Sequence, residues 1–304
     1  MFSASSSASS RRAFLLQTSA HGAIAALAAV SGFAHAAAEK KGSAATRMPT
    51  LFIGHGSPMN AIQDNAFTRR MVAWGKALPA PTAILSVSAH WLTQGVTGVG
   101  IQERPKTIHD FGGFPQALFD IQYPAPGHPD LARVAAGLVT EGRVVPTQQW
   151  GLDHGTWTVL KYLYPQADVP VFQLSVDYDK PASFHYAVGR ELAALRDKGV
   201  LILGSGNVVH NLRATDRGVP DAKTASRPWA QSFDDAVKSA LRGRDDKALV
   251  DFGKLEGASV AVATPDHYFP FMYPLGAAGA GERAQTIHEG FQSGTLSMRC
   301  VQFG

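Results

Sequence analysis

Cysteine is almost missing from this chain: Cys300 is the only one in 304 residues. No intramolecular disulfide can form and no thiolate cage can hold a metal, so any metal must be bound by histidine and carboxylate. Charge is sparse as well, 17% of residues, and the formal net charge of +4 is spread thinly. No Lys/Arg cluster is interleaved with aromatics, which argues against nucleic acid as a partner. Several catalytic signatures are also lacking. There is no H-E-x-x-H, no G-x-G-x-x-G and no lysine of a phosphate-binding loop. Gly54-His55-Gly56-Ser57-Pro58 places proline where a G-x-S-x-G nucleophile elbow needs glycine. No internal repeat is present. What remains is a chain that is 45% hydrophobic, enough for a real core.

The first residues read as a leader. Arg11-Arg12 is followed by Ala13, Phe14 and leucines, then by a modestly apolar stretch diluted by Gln17, Thr18, Ser19 and His21. It closes on Ala34-His35-Ala36, an A-x-A cleavage pattern. Residues 1–36 thus resemble a Tat (twin-arginine) signal peptide, which bacteria use to export proteins already folded. The Tat machinery is then an expected partner, and the periplasm the expected location. The alternative is an uncleaved membrane anchor, which the polar residues disfavour; the mature form is not expected to be a membrane protein. Removing 1–36 takes away two arginines and lowers the net charge from +4 to +2. Residues 37–47 read as a flexible linker and 48–304 as one domain.

That domain alternates short apolar β-branched runs with helical patterns, which predicts an α/β fold: a single domain with a mostly parallel central sheet flanked by helices. Strands are expected over 49–53, 81–88, 96–101, 144–147, 169–176, 200–205 and 295–303. Helices are expected over 65–78, 130–140, 154–162, 181–196, 226–242 and 247–255. Residues 107–126 form a long loop carrying Phe111, Phe114 and Phe119, which suits either an aromatic substrate or core packing. In open α/β sheets ligands bind beyond the carboxyl ends of the strands, so a metal site is expected there.

Histidines recur at those ends. His21 and His35 belong to the leader; of the other nine, five stand at strand ends or in turns: His55, His90, His154, His210 and His267. Each alone reads more readily as a satisfied structural histidine, and His185, within a helical stretch, is read as structural or surface. Five delivered to one rim are not explained by five independent accidents. Imidazole suits zinc, iron, copper and nickel. His154 sits beside Asp153 at a helix start, where the dipole disfavours imidazolium.

These residues carry a resemblance. Gly54-His55-Gly56-Ser57-Pro58-Met59, Ser88-Ala89-His90-Trp91, Ile108-His109-Asp110-Phe111-Gly112-Gly113-Phe114-Pro115, Asp153-His154-Gly155-Thr156-Trp157, Ser205-Gly206-Asn207-Val208-Val209-His210-Asn211 and Thr264-Pro265-Asp266-His267-Tyr268 together resemble the 4,5-DOPA extradiol dioxygenase family, within the class III extradiol enzymes. The likeness runs from about Pro49 to Phe303. It implies a dioxygenase that opens a small aromatic diol with O2 to give a muconic semialdehyde. It further implies one divalent metal, Zn2+ or Fe2+, held by His55, His90 and His267. His210 matches a position that serves as ligand in some members and as acid/base in the wider superfamily, and His154 matches a catalytic histidine near substrate. His109 and Phe111 fall in the substrate-binding stretch. The wider superfamily uses two histidines and a carboxylate, whereas here the third position is His267 with Asp266 adjacent. A zinc-dependent hydrolase, or a periplasmic metal- or aromatic-binding protein without turnover, remains the alternative use of the same pocket.

Overall fold

Strand formation begins where the β-branched runs begin. The structure, a computed structural model, describes residues 47–215 and 225–304. The leader and all of the linker but Arg47 lie outside the described residues. Ten strands are described: β1 (Thr50–Gly54), β2 (Ala83–Thr93), β3 (Thr97–Gly100), β4 (Val144–Thr147), β5 (Val171–Asp177), β6 (Val200–Gly206), β7 (Ala284–His288), β8 (Phe291–Gln292), β9 (Leu296–Ser297) and β10 (Cys300–Phe303). The main sheet runs in the order β4-β3-β5-β2-β6-β1-β10-β7, and β8 and β9 form a separate hairpin. Its centre, β5-β2-β6-β1, is parallel throughout. Antiparallel pairing enters at β3 against β5 and at β10 against both β1 and β7. β6 lies between β1 and β2, so the first two strands of the domain are not neighbours.

The helices are α1 (Ala66–Ala77), α2 (Gln116–Phe119), α3 (Pro129–Leu138), α4 (His154–Leu163), α5 (Ala182–Leu192), α6 (Pro228–Gly243), α7 (Asp246–Val250), α8 (Ala258–Ala261) and α9 (Phe269–Ala277). Side chains alternate across each strand, which splits the central strands between two cores. Phe52, Leu85, Val87, Phe172, Leu174, Val200 and Ile202 pack with Val188 of α5 and with Phe271 and Tyr273 of α9. Leu51, Ile53, Ile84, Val171, Leu201 and Leu203 pack on the opposite face with Met71 and Trp74 of α1 and Leu160 of α4. Parallel strands covered on both faces must be apolar on both faces. That is why these runs lack an alternating pattern.

Several predicted elements change at their ends. β2 does not stop at Ser88 but runs through His90 to Thr93. The stretch 247–255 is a short helix followed by a 3-10 turn, Phe252–Lys254. The closing strand breaks into β9 and β10. Two elements leave no periodic signal at all. β7 is an edge strand, and α9 is buried at every one of its nine positions with Pro274 inside it; a helix covered all round shows no apolar stripe.

Candidate metal centre and substrate cavity

The first histidine is placed by the end of β1. Gly54 pairs with Gly206 of β6, and the His55 N–H continues the ladder to the Gly206 carbonyl at 3.0 Å. Gly56 turns the chain with φ +64°, a conformation glycine adopts without penalty. His55 is 2% exposed, and its Nδ1 lies 3.0 Å from Ser205 Oγ. That hydroxyl donates its one proton to the Gly155 carbonyl at 2.5 Å. It must therefore accept from His55 Nδ1–H, which leaves the lone pair on Nε2.

The second is placed by an irregularity. Val87 stands opposite Leu174 of β5, whereas Leu92 stands opposite Val176. Residues 88–91 of β2 thus face the single residue Ser175, and a bulge of this kind re-aims side chains at a sheet rim. His90 Nε2 comes within 3.2 Å of His55 Nε2, and its Nδ1 faces Asp110 Oδ2 at 3.3 Å. The same carboxylate holds His154: Oδ2 accepts from Nδ1 at 2.9 Å and Oδ1 from the backbone N–H at 2.9 Å. An anion at the amino end of α4 is favoured by the helix dipole. Burial pushes the Asp110 carboxyl up, but the hydrogen bonds from His154 outweigh it and bring it below its usual value.

Asp153, next to His154 in sequence, points elsewhere. It caps α4, taking the Thr156 N–H on Oδ1 and the Trp150 and Gln173 side chains on Oδ2. Burial, then the charge of Asp110, raises its carboxyl above the ordinary range.

His267 ends a 3-10 turn, Pro265–His267, that lies directly over β6. Gly206 makes this possible, because a Cβ there would stand 2.1 Å from the His267 carbonyl oxygen. His267 Nδ1 is hydrogen-bonded to Asp266 Oδ2, again leaving Nε2 for the cavity side. Ligand atoms of His55, His90 and His267 all lie within 4.8 Å of one another. His210 is brought to the same place but differently. Its ring stacks on His267, centroids 3.5 Å apart and planes 4° apart, and its ring nitrogen groups with Asp266 and His267 rather than with His55 and His90.

The donor set fits a divalent metal. Burial first, then the neighbouring histidines, hold His55 and His90 well below the ordinary imidazole pKa, so both are neutral at pH 7. Their Nδ1 protons face Ser205 and Asp110, so two lone pairs oppose each other at 3.2 Å. A shared cation relieves that opposition. Asp110 and Asp266 stand behind the rings as the carboxylates that orient metal-binding imidazoles.

A cavity of about 690 Å3 opens in front of the cluster. It is lined by His55, His90, His154, His210 and His267 on one side and by Pro58, Phe111, Phe114, Leu212 and Leu296 on the other. All five rim histidines expected from the sequence therefore meet in one space. Phe111 packs edge-on to His154, centroids 5.4 Å apart. His109 is set back from the cavity lining; it contacts the Ile121 carbonyl at 3.0 Å and the edge of Trp157, which supports Phe111 from behind. Asp110 and Leu212 received no role from the sequence, whereas Phe114, one of the loop phenylalanines read as suiting an aromatic substrate or the core, lines the cavity. For Asp110, the one available signal was an acid beside a histidine in a Gly-rich loop. His185 lies outside the site, buried against Tyr273 and Phe269.

Known proteins resemble this chain over nearly all of its described length. The family model for the catalytic LigB subunit of aromatic ring-opening dioxygenase matches residues 48–303. A protein of Escherichia coli (strain K12) named 4,5-DOPA dioxygenase extradiol is 49% identical over 263 residues, 85% of this chain and 96% of that protein. A protein of the same name from Beta vulgaris is 37% identical over 261 residues, 84% and 96% of the two chains. Dioxygenase tasH of Hapsidospora irregularis is 30% identical over 273 residues, 80% and 82%. Among solved structures, an uncharacterized protein of Escherichia coli K12 superposes with a TM-score of 0.74 at 43% identity, covering 85% of this chain and all of that one.

Proposed function

Because this chain belongs to the family of LigB-type catalytic subunits of aromatic ring-opening dioxygenases and is an extradiol dioxygenase, we propose that it opens a small DOPA-like catechol, with His55, His90 and His267 holding iron(II). The observation that carries this reading is the pair of opposed Nε2 atoms of His55 and His90, 3.2 Å apart, beside an aromatic wall. When bound, the metal acidifies the diol and supplies the redox step with O2. Zinc fits three imidazoles equally well but cannot do that redox step, so iron is the productive occupant.

The protein's own groups account for the rest. Phe111, Phe114, Leu212 and Leu296 bind the ring and exclude water from the apolar side. His154, with Nδ1–H committed to Asp110, keeps Nε2 free to take a hydroxyl proton. His210, whose pKa is lowered by burial and by the facing His267, is neutral at pH 7 and offers a second imidazole to carry a proton. Both atoms of O2 enter the product, one ring C–C bond beside the diol breaks, and no external reductant is consumed. A cavity of this size suits a small aromatic, since such sites span roughly 300–1,000 Å3.

The leader and its twin arginines support export of the folded, loaded protein to the periplasm. The test has two arms. Anaerobically purified protein is loaded with iron(II) or zinc and supplied with L-DOPA or catechol in air. Oxygen uptake with a yellow semialdehyde from the iron form alone supports the reading; no uptake after iron loading overturns it. Cell fractionation of the Arg11→Lys, Arg12→Lys variant tests export, which is expected to fail.

A further inference from the structure

We propose that Asp110 is a positioning residue that joins the metal ligand His90 to the proton carrier His154 by fixing which nitrogen is protonated on both rings at once. This rests on the ligand and proton-carrier roles assigned above. Asp110 sits in a loop tied down on both sides: Ile108 N–H donates to the Leu152 carbonyl at 2.7 Å, Leu152 N–H to the Lys106 carbonyl at 2.8 Å, and Trp157 Nε1–H to the Ile108 carbonyl at 2.9 Å. The carboxylate is thereby bracketed to the start of α4 and is 15% exposed. Two hydrogen bonds reach it, from the His154 backbone N–H and Nδ1, both at 2.9 Å, and His90 Nδ1 lies 3.3 Å from Oδ2 as an ion-pair contact.

A carboxylate accepts and has no proton to offer, so the His154 Nδ1 bonded to it carries its N–H, and the negative charge 3.3 Å from His90 Nδ1 favours the N–H on that nitrogen too. Both Nε2 atoms are then bare. On His90 that lone pair serves the metal; on His154, whose ring centroid is 3.8 Å from that of His90, it serves the substrate proton. One side chain therefore makes metal retention and proton transfer depend on each other. An amide cannot repeat this. With its oxygen towards the His154 N–H, its NH2 faces both Nδ1 atoms and moves their protons to Nε2. With the amide reversed, NH2 meets the backbone N–H, donor against donor.

The experiment compares the full-length parent with Asp110→Asn, in the parent and in a His154→Ala background, using zinc alone as the probe. Competition against a chromophoric chelator gives zinc affinity, and histidine 15N spectra give the ring tautomers; neither needs O2 or a catechol, so the outcome is separable from that of the ring-cleavage assay. Asp110→Asn is expected to weaken zinc binding by about 10–100-fold, equally in both backgrounds. At saturating iron it should lower kcat in the parent and not lower it further in His154→Ala. Unchanged zinc affinity overturns the proposal. If Asp110→Asn does not fold, the unsubstituted protein still decides it: Nδ1–H on both His90 and His154 sustains the proposal, and Nε2–H on either ring refutes it.

Discussion

The imidazole of His210 lies flat on that of His267, with centroids 3.5 Å and planes 4° apart, while His267 alone shares the 4.8 Å ligand cluster with His55 and His90. Two rings in contact thus stand differently toward that cluster. His267→Ala is expected to abolish metal retention, whereas His210→Ala keeps the metal and loses rate. Metal content after dialysis against buffer distinguishes them, and equal loss in both variants would place His210 among the ligands.

His154 faces the cavity beside His90, with its Nδ1 committed to Asp110. His154→Ala should retain the metal and lower kcat by about 10²–10⁴-fold, the usual contribution of a positioned acid/base. His90→Ala should lose the metal outright. Metal analysis paired with steady-state kinetics on each variant checks the division.

Gly155 has no room for a side chain. A Cβ there would stand 2.4 Å from Ser88 Oγ and 3.0 Å from His90 Cδ2. Gly155→Ala should cost about 1–3 kcal/mol of stability from overpacking and weaken metal binding by shifting His90. Denaturant unfolding and chelator competition read the two effects separately.

His185, on α5, is fully buried with its Nδ1 2.9 Å from Tyr273 OH, and burial lowers its pKa to about 3. Above the unfolded value of 6.5 the ring is neutral in both states and contributes no pH dependence. As pH falls from 6.5 towards 3, the unfolded chain binds the proton and the folded chain does not. Stability should then fall by up to about 1.4 kcal/mol per pH unit from this group. His185→Phe should flatten that part of the profile relative to the parent in denaturant titrations at pH 4 to 7; an unchanged slope would show that His185 is not its source.

How much of this was legible in sequence follows from the range of each interaction. The parallel strands and the histidines at their ends could be read because the signals are local: a β-branched run, then Gly or Ser, then His. The helix α9 could not, because burial on every side erases the amphipathic period, and Pro274 reads as a breaker. Adjacency is no guide at His154. Asp153 is the neighbouring acid, but a capping residue turns its carboxylate back onto its own helix, and the acid that reaches the ring is Asp110, 44 residues away.

The sequence by itself determined that no thiolate could serve, that the metal must sit among histidines, and which rim of the sheet would carry them. Only the tertiary structure decided which rings come close enough to share a metal. That choice depends on where Nε2 points, and Nε2 is aimed by the β2 bulge, by the approach of His267 over Gly206, and by Ser205, Asp110 and Asp266 holding the opposite nitrogen. None of these partners except Asp266 is adjacent in the chain to the histidine it orients.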